Sequence, residues 1–444
     1  MIGAGRWRRI LKRLRPLRVV IDARMADGSS GGVQQWVIGL AAALSQLTSG
    51  SERYLFLVNE GQGDWLRPHL GGRCRIVVQP ASLPAAAGKP PGAAGAPGGR
   101  SGQRRRLSIG QRLARGVRRR VTGRKPPPRL SPFEESMHDL DADIVHFPRQ
   151  SASATRVPNI YQPWDLQHLH LPEFFTVEAR EHRDKVYRAF CASASLIVVA
   201  TTWVKQDVAA QYGIEPERIA VVNPPPVTFA YLPPTPAQEA STVERLALPA
   251  RFAFYPALAW GHKNHERLFQ ALRQLRDRDV LVPLVCSGHL NDRHPALVER
   301  AAELGVADQV SFSGFLSEAE IQVVYRRATL LVFPSLYEGW GFPIVEAFAA
   351  NLPVTCSNVT SLPALVGDAA LVFDPLDPDA IAASIERLWL DAGLREALVD
   401  RGRARLRRLD WRSTAETMRA HYRRIAGRRL SADELRLLDA EPLV

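Results

Sequence analysis

The sequence predicts an α/β protein with two doubly wound parallel sheets that face each other across a cleft. The chain has 444 residues, which is long for a single hydrophobic core, so two domains are expected. Short apolar segments alternate with helical patterns along most of the chain, as they do in βαβ units. A proline-rich segment at 223–236 divides these units into two series and is typical of an interdomain linker.

The predicted strands are apolar segments of four to six residues, a pattern that indicates parallel strands buried on both faces. The first series comprises 17–22, 53–58, 74–79, 142–147, 158–161, 195–200 and 217–222. The second series comprises 252–256, 281–286, 309–313, 328–333, 353–356 and 370–373. In such sheets ligands bind at the carboxyl ends of the strands, so we expect the site there.

These series give a division of the whole chain. We expect a basic tail (1–16), a first domain (17–225) with a basic insertion at about 84–129, a linker (226–250), a second domain (251–410) and a terminal helix (411–428).

The net charge of +13 is concentrated in the tail and the insertion. Neither 1–18 nor 79–130 contains an acidic residue, and the rest of the chain is mildly acidic. The tail spaces Trp7, Ile10, Leu11 and Leu14 as one face of a short basic helix, which suits an anionic membrane surface. A solvated or packed tail is the alternative.

The basic part of the insertion, 100–129, has three interpretations: membrane contact, a solvated loop, or nucleic-acid binding. Nucleic acid is the least favoured partner because the segment has no aromatic residues to stack on bases.

The four cysteines are too dispersed for a disulfide scaffold or a metal site, and no apolar stretch of about 18 residues exists. We therefore expect a cytoplasmic protein, with peripheral attachment to the inner face of the membrane as an option.

The most informative segment is 335–353, SLYEGWGFPIVEAFAANLP. A buried strand leads into a glycine-rich turn and then a helix that Pro343 can open. The positive end of a helix dipole beside a turn with small side chains suits a diphosphate. Glu338 and Glu346 would repel phosphate, so they are better placed to accept hydrogen bonds from hydroxyls. The segment therefore predicts a site for a nucleotide that carries a sugar.

Two further segments fit such a ligand. Glycines 31 and 32, with Val33, follow the first strand and precede a helix expected from about Gln34, so backbone N–H groups can approach a ligand closely. Lys263 lies where a strand of the second series ends, and it could stabilise a departing diphosphate as a point charge.

The segment 335–353 closely resembles the Glu-x7-Glu signature of glycosyltransferase family 4, and the resemblance extends over about 17–78 and 135–425. The resemblance implies the GT-B fold: two Rossmann-like domains and a C-terminal helix that crosses back to the first. It also implies a retaining enzyme that transfers a hexose, with mannose as one candidate, from a UDP-, GDP- or ADP-sugar. The acceptor would be a hydroxyl of a glycan or lipid-linked molecule in polysaccharide, lipopolysaccharide or glycolipid synthesis. The family needs no metal at the diphosphate and no further cofactor.

The resemblance also implies roles for individual residues. Glu346 would bind the ribose, and Glu338 the sugar together with the turn at Gly341, Phe342 and Pro343. The following residues would contact the donor elsewhere: Gly31, Gly32 and Val33 at the diphosphate and acceptor, Lys263 at the phosphate, and Gly314, Phe315 and Leu316 at the base.

Segment 163–175 is similar to the family's His-Asp-Leu element, which lines the donor sugar, but Trp164 stands where the histidine is usual. The sugar-facing hydrogen bond would then come from Asp165 or His168, which we include among the candidate catalytic residues with Glu338 and Lys263. The arginine that usually accompanies the lysine is replaced by a non-basic residue.

Two alternatives stay open. A nucleotide-sugar 2-epimerase has a similar fold and needs no second substrate. A basic protein with a degenerate core, binding membrane or nucleic acid, would show salt-sensitive binding without binding nucleotide sugars.

Overall fold

The structure, a computed structural model, describes residues 15–28, 31–79 and 131–444. It contains two parallel sheets of seven and six strands, each covered by helices. The predicted fold class is confirmed. The predicted tail helix at Trp7 to Leu14 and the basic insertion lie outside the described residues.

The first sheet has the strand order β3-β2-β1-β4-β5-β6-β7, and all pairs are parallel. Its strands are β1 Arg18–Asp22, β2 Arg53–Asn59, β3 Cys74–Gln79, β4 Ile144–Phe147, β5 Asn159–Tyr161, β6 Leu196–Val199 and β7 Ile219–Val221. Its helices are α1 Gly31–Gln46, α2 Pro132–Asp139, α3 Gln167–His170, α4 Val177–Ser193 and α5 Thr202–Tyr212. Most strand residues are buried, as expected for a sheet covered on both faces.

The second sheet has the corresponding order β10-β9-β8-β11-β12-β13, again all parallel. Its strands are β8 Ala253–Pro256, β9 Leu284–Ser287, β10 Val310–Phe312, β11 Leu330–Phe333, β12 Val354–Ser357 and β13 Ala370–Phe373. Its helices are α7 His265–Arg276, α8 His294–Glu303, α9 Glu318–Arg327, α10 Phe342–Ala349, α11 Leu362–Val366, α12 Pro378–Leu390 and α13 Ala392–Leu406. In both sheets the order reverses beside the first strand, which is where such folds bind ligands.

The connection between the sheets is more structured than the predicted linker. It contains a short 3-10 helix, Val227–Ala230, and helix α6, Pro236–Arg245. Thr235 caps α6 with a capping box, and ion pairs from Arg245 to Glu320 and from Arg327 to Glu239 bind α6 to α9. Helix α6 therefore packs on the second domain.

The chain ends with helices α14, Trp411–Ile425, and α15, Ala432–Asp439. Helix α14 crosses back to the first domain, where the Trp411 indole packs directly on Gly39 of α1 and donates to the Pro226 carbonyl. The Tyr422 hydroxyl lies 2.7 Å from Nδ1 of the fully buried His146. Helix α14 is thus part of the core of the first domain.

Two local details differ from the predictions. Helix α1 begins at Gly31 rather than near Gln34, so both glycines lie in its first turn. Arg15, in the predicted basic tail, forms an ion pair with Asp143 at 2.9 Å, so this end of the tail is attached to the first domain. Within the described ranges, no helix combines the length and apolarity that crossing a membrane would need.

Candidate active site

The glycine-rich turn at 338–341 follows β11 and ends at the N-terminus of α10. Gly341 precedes the helix with φ of 117°, a conformation that glycine adopts without strain. Phe342 is the first helical residue and Pro343 the second, where a missing N–H costs nothing. The first backbone N–H groups of α10 and its dipole therefore present a positive surface at the carboxyl edge of the sheet.

Glu346 lies one turn further into α10, with a side chain that is almost completely buried. The Tyr325 hydroxyl donates to its Oε2 at 2.7 Å, while Oε1 has no partner among the described residues. Burial raises the pKa of Glu346 to about 7, and the tyrosine's hydrogen bond opposes that rise. A buried acceptor atom without a donor is costly, so Oε1 is a place where a ligand hydroxyl can bind favourably.

Lys263 and Glu338, predicted from separate segments, form an ion pair. Lys263 Nζ lies 2.5 Å from Glu338 Oε1, and both side chains are mostly buried. The Tyr255 hydroxyl donates to the Lys263 carbonyl at 2.6 Å. The Glu338 carbonyl accepts from Thr360 at 2.8 Å and from Ser361 at 2.9 Å. The backbones of both charged residues are therefore fixed, which favours a preorganised site.

The first domain contributes Gly32 and Trp164 to the same place. A side chain at Gly32 would lie 2.6 Å from the Phe342 ring, so the start of α1 closely approaches the start of α10. The Trp164 ring lies 5.9 Å from that of Phe342 and 6.0 Å from that of Trp36. Its indole already donates to the Pro148 carbonyl at 2.8 Å. Trp164 thus forms an apolar wall in which the indole N–H is occupied.

Trp164 also has an unusual backbone conformation, with φ of 70°. Bulky residues rarely adopt positive φ, and such strain is commonly retained at functional sites. Here it directs the Trp164 carbonyl against Gly339, where any side chain would clash. Gly339 is therefore required for close contact between the domains as well as for the turn.

The two other candidate catalytic residues have different surroundings. Asp165 is half-buried and lies 3.2 Å from the position of a side chain at Gly339. Burial raises the pKa of its carboxyl, whereas Arg183 and the N–H of Gln167 lower it. Asp165 therefore borders the turn that carries Glu338.

His168 is fully buried, and its ring centroid lies 5.0 Å from that of Tyr187. Burial is the main cause that lowers its pKa to about 4, so the ring is neutral. Its Nε2 lies 3.4 Å from the Tyr212 hydroxyl. The structure does not bring its side chain to the Lys263–Glu338 pair, and its role in catalysis stays a prediction.

The loop at Gly314, Phe315 and Leu316 follows β10, as predicted for the base site. Gly314 has φ of 69° and its carbonyl accepts from the N–H of Gly288 at 2.9 Å. The Phe315 ring is half-exposed and stacks on His289, with centroids 4.6 Å apart. Gly28 of the first domain lies directly against both rings. The two domains therefore meet at this end of the cleft too.

The sequence patterns pointed to Glu338, Glu346 and Phe315 but not to several of the residues that contact them. His289, Thr360 and Ser361 belong to no recognisable motif, and Tyr325 precedes Glu346 by 21 residues on another helix. No local pattern connects such residues. In the described part of the chain, no group of three His, Cys, Asp or Glu residues could hold a metal ion.

A known protein family matches most of the second domain. The sequence model of the family described as "Glycosyl transferases group 1" matches residues 243–405, which include Lys263, Glu338 and Glu346. The chain is similar to the O-antigen chain mannosyltransferase B of Escherichia coli, with 31% identity over 306 residues that cover 64% of this chain and 79% of the relative. Neither of the two alternative functions is favoured by these relatives.

Solved structures match over almost the whole chain. Sucrose-phosphate synthase from Thermosynechococcus elongatus has a TM-score of 0.65 at 19% identity, covering 93% of this chain and 99% of that one. WaaG, a glycosyltransferase involved in lipopolysaccharide biosynthesis, has a TM-score of 0.63 at 16% identity, covering 92% and 100%. At these identities the likeness concerns the fold. With the family match and the E. coli relative, it leads to one conclusion: the chain belongs to the group 1 glycosyltransferases and has the GT-B fold.

Proposed function

We propose that this chain is a retaining, metal-independent glycosyltransferase of family 4 that moves a hexose from a nucleotide-diphosphate sugar to a hydroxyl acceptor. Mannose is the first candidate for the sugar, and a cell-surface polysaccharide or lipopolysaccharide the first candidate for the product. Both follow from the name of the E. coli relative, an O-antigen chain mannosyltransferase. The observation that carries the proposal is Glu346, a buried carboxylate with one unpartnered oxygen beside a helix N-terminus.

Each part of the donor has a matching group. Glu346 Oε1 accepts from a ribose hydroxyl, and the start of α10 with Gly31 and Gly32 binds the diphosphate. Lys263 neutralises the charge that develops on the departing phosphate. Glu338 accepts from sugar hydroxyls after Lys263 moves from it to the phosphate, and Gly341 and Phe342 provide backbone contacts.

The reaction breaks the bond from the anomeric carbon to the phosphate oxygen and forms a bond from that carbon to the acceptor oxygen. The acceptor's proton passes to the departing phosphate oxygen on the same face of the sugar. Positioning and charge stabilisation therefore account for the catalysis in this proposal. Asp165, beside the turn, is the first-domain group available to the sugar.

Other parts of the proposal rest on the sequence. Val33 and the loop Gly314 to Leu316 are assigned to the diphosphate and the base, with UDP, GDP and ADP all admissible. The acceptor is lipid-linked if the segments 1–16 and 100–129 bind an anionic membrane, which would place the protein at its inner face. Removal of both segments should then abolish liposome binding.

The test is thermal unfolding against UDP-, GDP- and ADP-sugars, comparing wild type with Glu346→Gln. Glutamine retains an acceptor for Tyr325 but removes the charge, so the fold should persist while donor binding weakens. A ligand at ~100 times its Kd adds about 2.7 kcal/mol of stability. Stabilisation of wild type by one nucleotide class, diminished in Glu346→Gln, is expected. An equal response from both proteins, or none from wild type, would contradict the proposal.

A further inference from the structure

Tyr337, the residue before Glu338, belongs to the second domain but lies in a pocket of the first. Only 4% of its surface is exposed. The pocket, which we name the Tyr337 socket, consists of Leu166, His170, Trp203 and Asp207.

The ring of Tyr337 makes two aromatic contacts in this socket. It stacks on His170 with centroids 5.4 Å apart and an angle of 27° between the planes. It meets Trp203 edge to face at 5.5 Å and 79°. Aromatic pairs at these distances stabilise beyond the area that they bury, so the ring is the principal anchor.

The hydroxyl of Tyr337 adds polar contacts. It donates to Asp207 Oδ2 at 3.4 Å and accepts from the Leu166 N–H at 3.4 Å. Asp207 is itself held by His170 Nε2 at 2.8 Å. The two hydrogen bonds of the Tyr337 hydroxyl are long and hence weak, but they align the tyrosine with elements α3 and α5 of the first domain.

A second contact between the domains lies on the other side of Glu338. Thr201, the N-cap of α5, donates to the Gly339 carbonyl at 3.3 Å. The first domain thus binds the chain at 337 and at 339, and Glu338 projects from between these two points towards Lys263. Separation of the domains would release both contacts.

We propose that Tyr337 is a positioning residue that fastens the glycine-rich turn at 338–341 to the first domain and thereby holds the cleft closed over Glu338. The role assigned to Glu338 rests on the proposed function. The attachment itself is a statement about the two domains, and can be measured without a ligand.

The experiment measures the distance across the cleft by double electron–electron resonance. Spin labels are placed at Glu173→Cys and Asp292→Cys, both exposed. Their neighbours Phe174 and Arg293 approach Gly261 from opposite domains, so the distance between the labels should lengthen on opening. All four native cysteines are buried, which makes labelling selective.

We expect a single short distance in the wild type and added longer distances in Tyr337→Ala. The donor Kd, measured by calorimetry with the nucleotide sugar that stabilises wild type, should rise about tenfold, as for a loss of about 1.4 kcal/mol. Tyr337→Phe keeps the ring contacts and should restore the short distance and most of the affinity. Trp203→Ala, made on the socket side, should reproduce the opening if Tyr337→Ala does not fold.

Tyr54→Phe is the matched control for Tyr337→Phe, because it removes a buried tyrosine hydroxyl of the first domain that lies beside Tyr422 of α14. It should change neither measurement. Unchanged distances in folded Tyr337→Ala and Trp203→Ala would overturn the inference. If wild type binds no nucleotide sugar, the proposed function fails, while the distances still decide whether Tyr337 holds the domains together.

Discussion

The two sides of the cleft are built from different chemistry. The second domain contributes ionisable groups with fixed backbones, namely Lys263, Glu338 and Glu346, at the carboxyl edge of its sheet. The first domain contributes Gly32 and the Trp164 indole, which fit against the start of α10. The second-domain side is thus suited to recognise charge and hydroxyls, while these two first-domain residues determine the shape of the cleft. We therefore predict that variants on the two sides will differ in how they change donor affinity and unfolding free energy.

The largest expected effect comes from the charge of Glu346. Its pKa rises from 4.5 to about 7 on folding because burial penalises the carboxylate. The native state therefore holds a proton between these values that the unfolded chain has lost, so Glu346 destabilises the fold increasingly as pH rises through this window. The expected cost above pH 7 is about 3 kcal/mol.

This cost is measured as the difference in unfolding free energy between wild type and Glu346→Gln, from urea titrations at pH 4.5 to 8. Taking the difference matters because burial lowers the pKa values of His146 and His265, which destabilises the fold at the acidic end. The unfolding free energy of Glu346→Gln, relative to that of wild type, should increase as pH rises. A constant difference would mean that Glu346 is ionised without penalty.

Lys263→Ala should weaken donor binding by roughly 2 kcal/mol, or about 30-fold, since a hydrogen bond to a charged group is lost. Calorimetry with the nucleoside diphosphate measures this. Lys185→Ala removes an exposed lysine of the first domain and serves as the control. Equal nucleoside diphosphate affinities in the two variants would show that Lys263 of the second domain does not recognise the charge of the ligand.

Gly39→Ala tests the packing of the first domain. The new methyl group would overlap the Trp411 indole of α14, and overpacking costs about 2 kcal/mol of unfolding free energy. Gly393→Ala is the matched control within a helix, where the methyl group meets only Asp391 Oδ1 at 3.5 Å. That variant should be neutral or more stable by about 0.5 kcal/mol. Urea titration distinguishes the two, and equal stabilities would show that α14 is loosely attached.

Trp164→Phe should have the smallest effect. The ring contacts with Trp36 and Phe342 largely persist, but the hydrogen bond to the Pro148 carbonyl is lost, which costs about 1 kcal/mol of stability. The donor Kd should not change, because the indole N–H is already occupied. A large loss of donor affinity without a loss of stability would make Trp164 a ligand-binding residue and weaken the contrast between the two sides.

The sequence alone determined most of the architecture. Predicted and observed strands agree to within three residues at either end, as for 74–79 and β3 Cys74–Gln79, because parallel strands buried on both faces require continuous apolar segments. It also located the turn and helix at 338–346, since glycines, a proline and a helix start are local features. The start of α1 was predicted three residues too late, and helix α6 within the linker was not predicted, because element boundaries and short helices depend on contacts made elsewhere.

Only the tertiary structure decided which groups meet. Lys263 and Glu338 are 75 residues apart and form one ion pair, and Tyr337 enters a socket made by segments more than a hundred residues earlier. The burial that raises the pKa of Glu346 likewise comes from packing of the whole domain. A local pattern can specify an element because its hydrogen bonds are local. It cannot specify which distant side chains share a low-dielectric space, and that sharing determines the chemistry of this cleft.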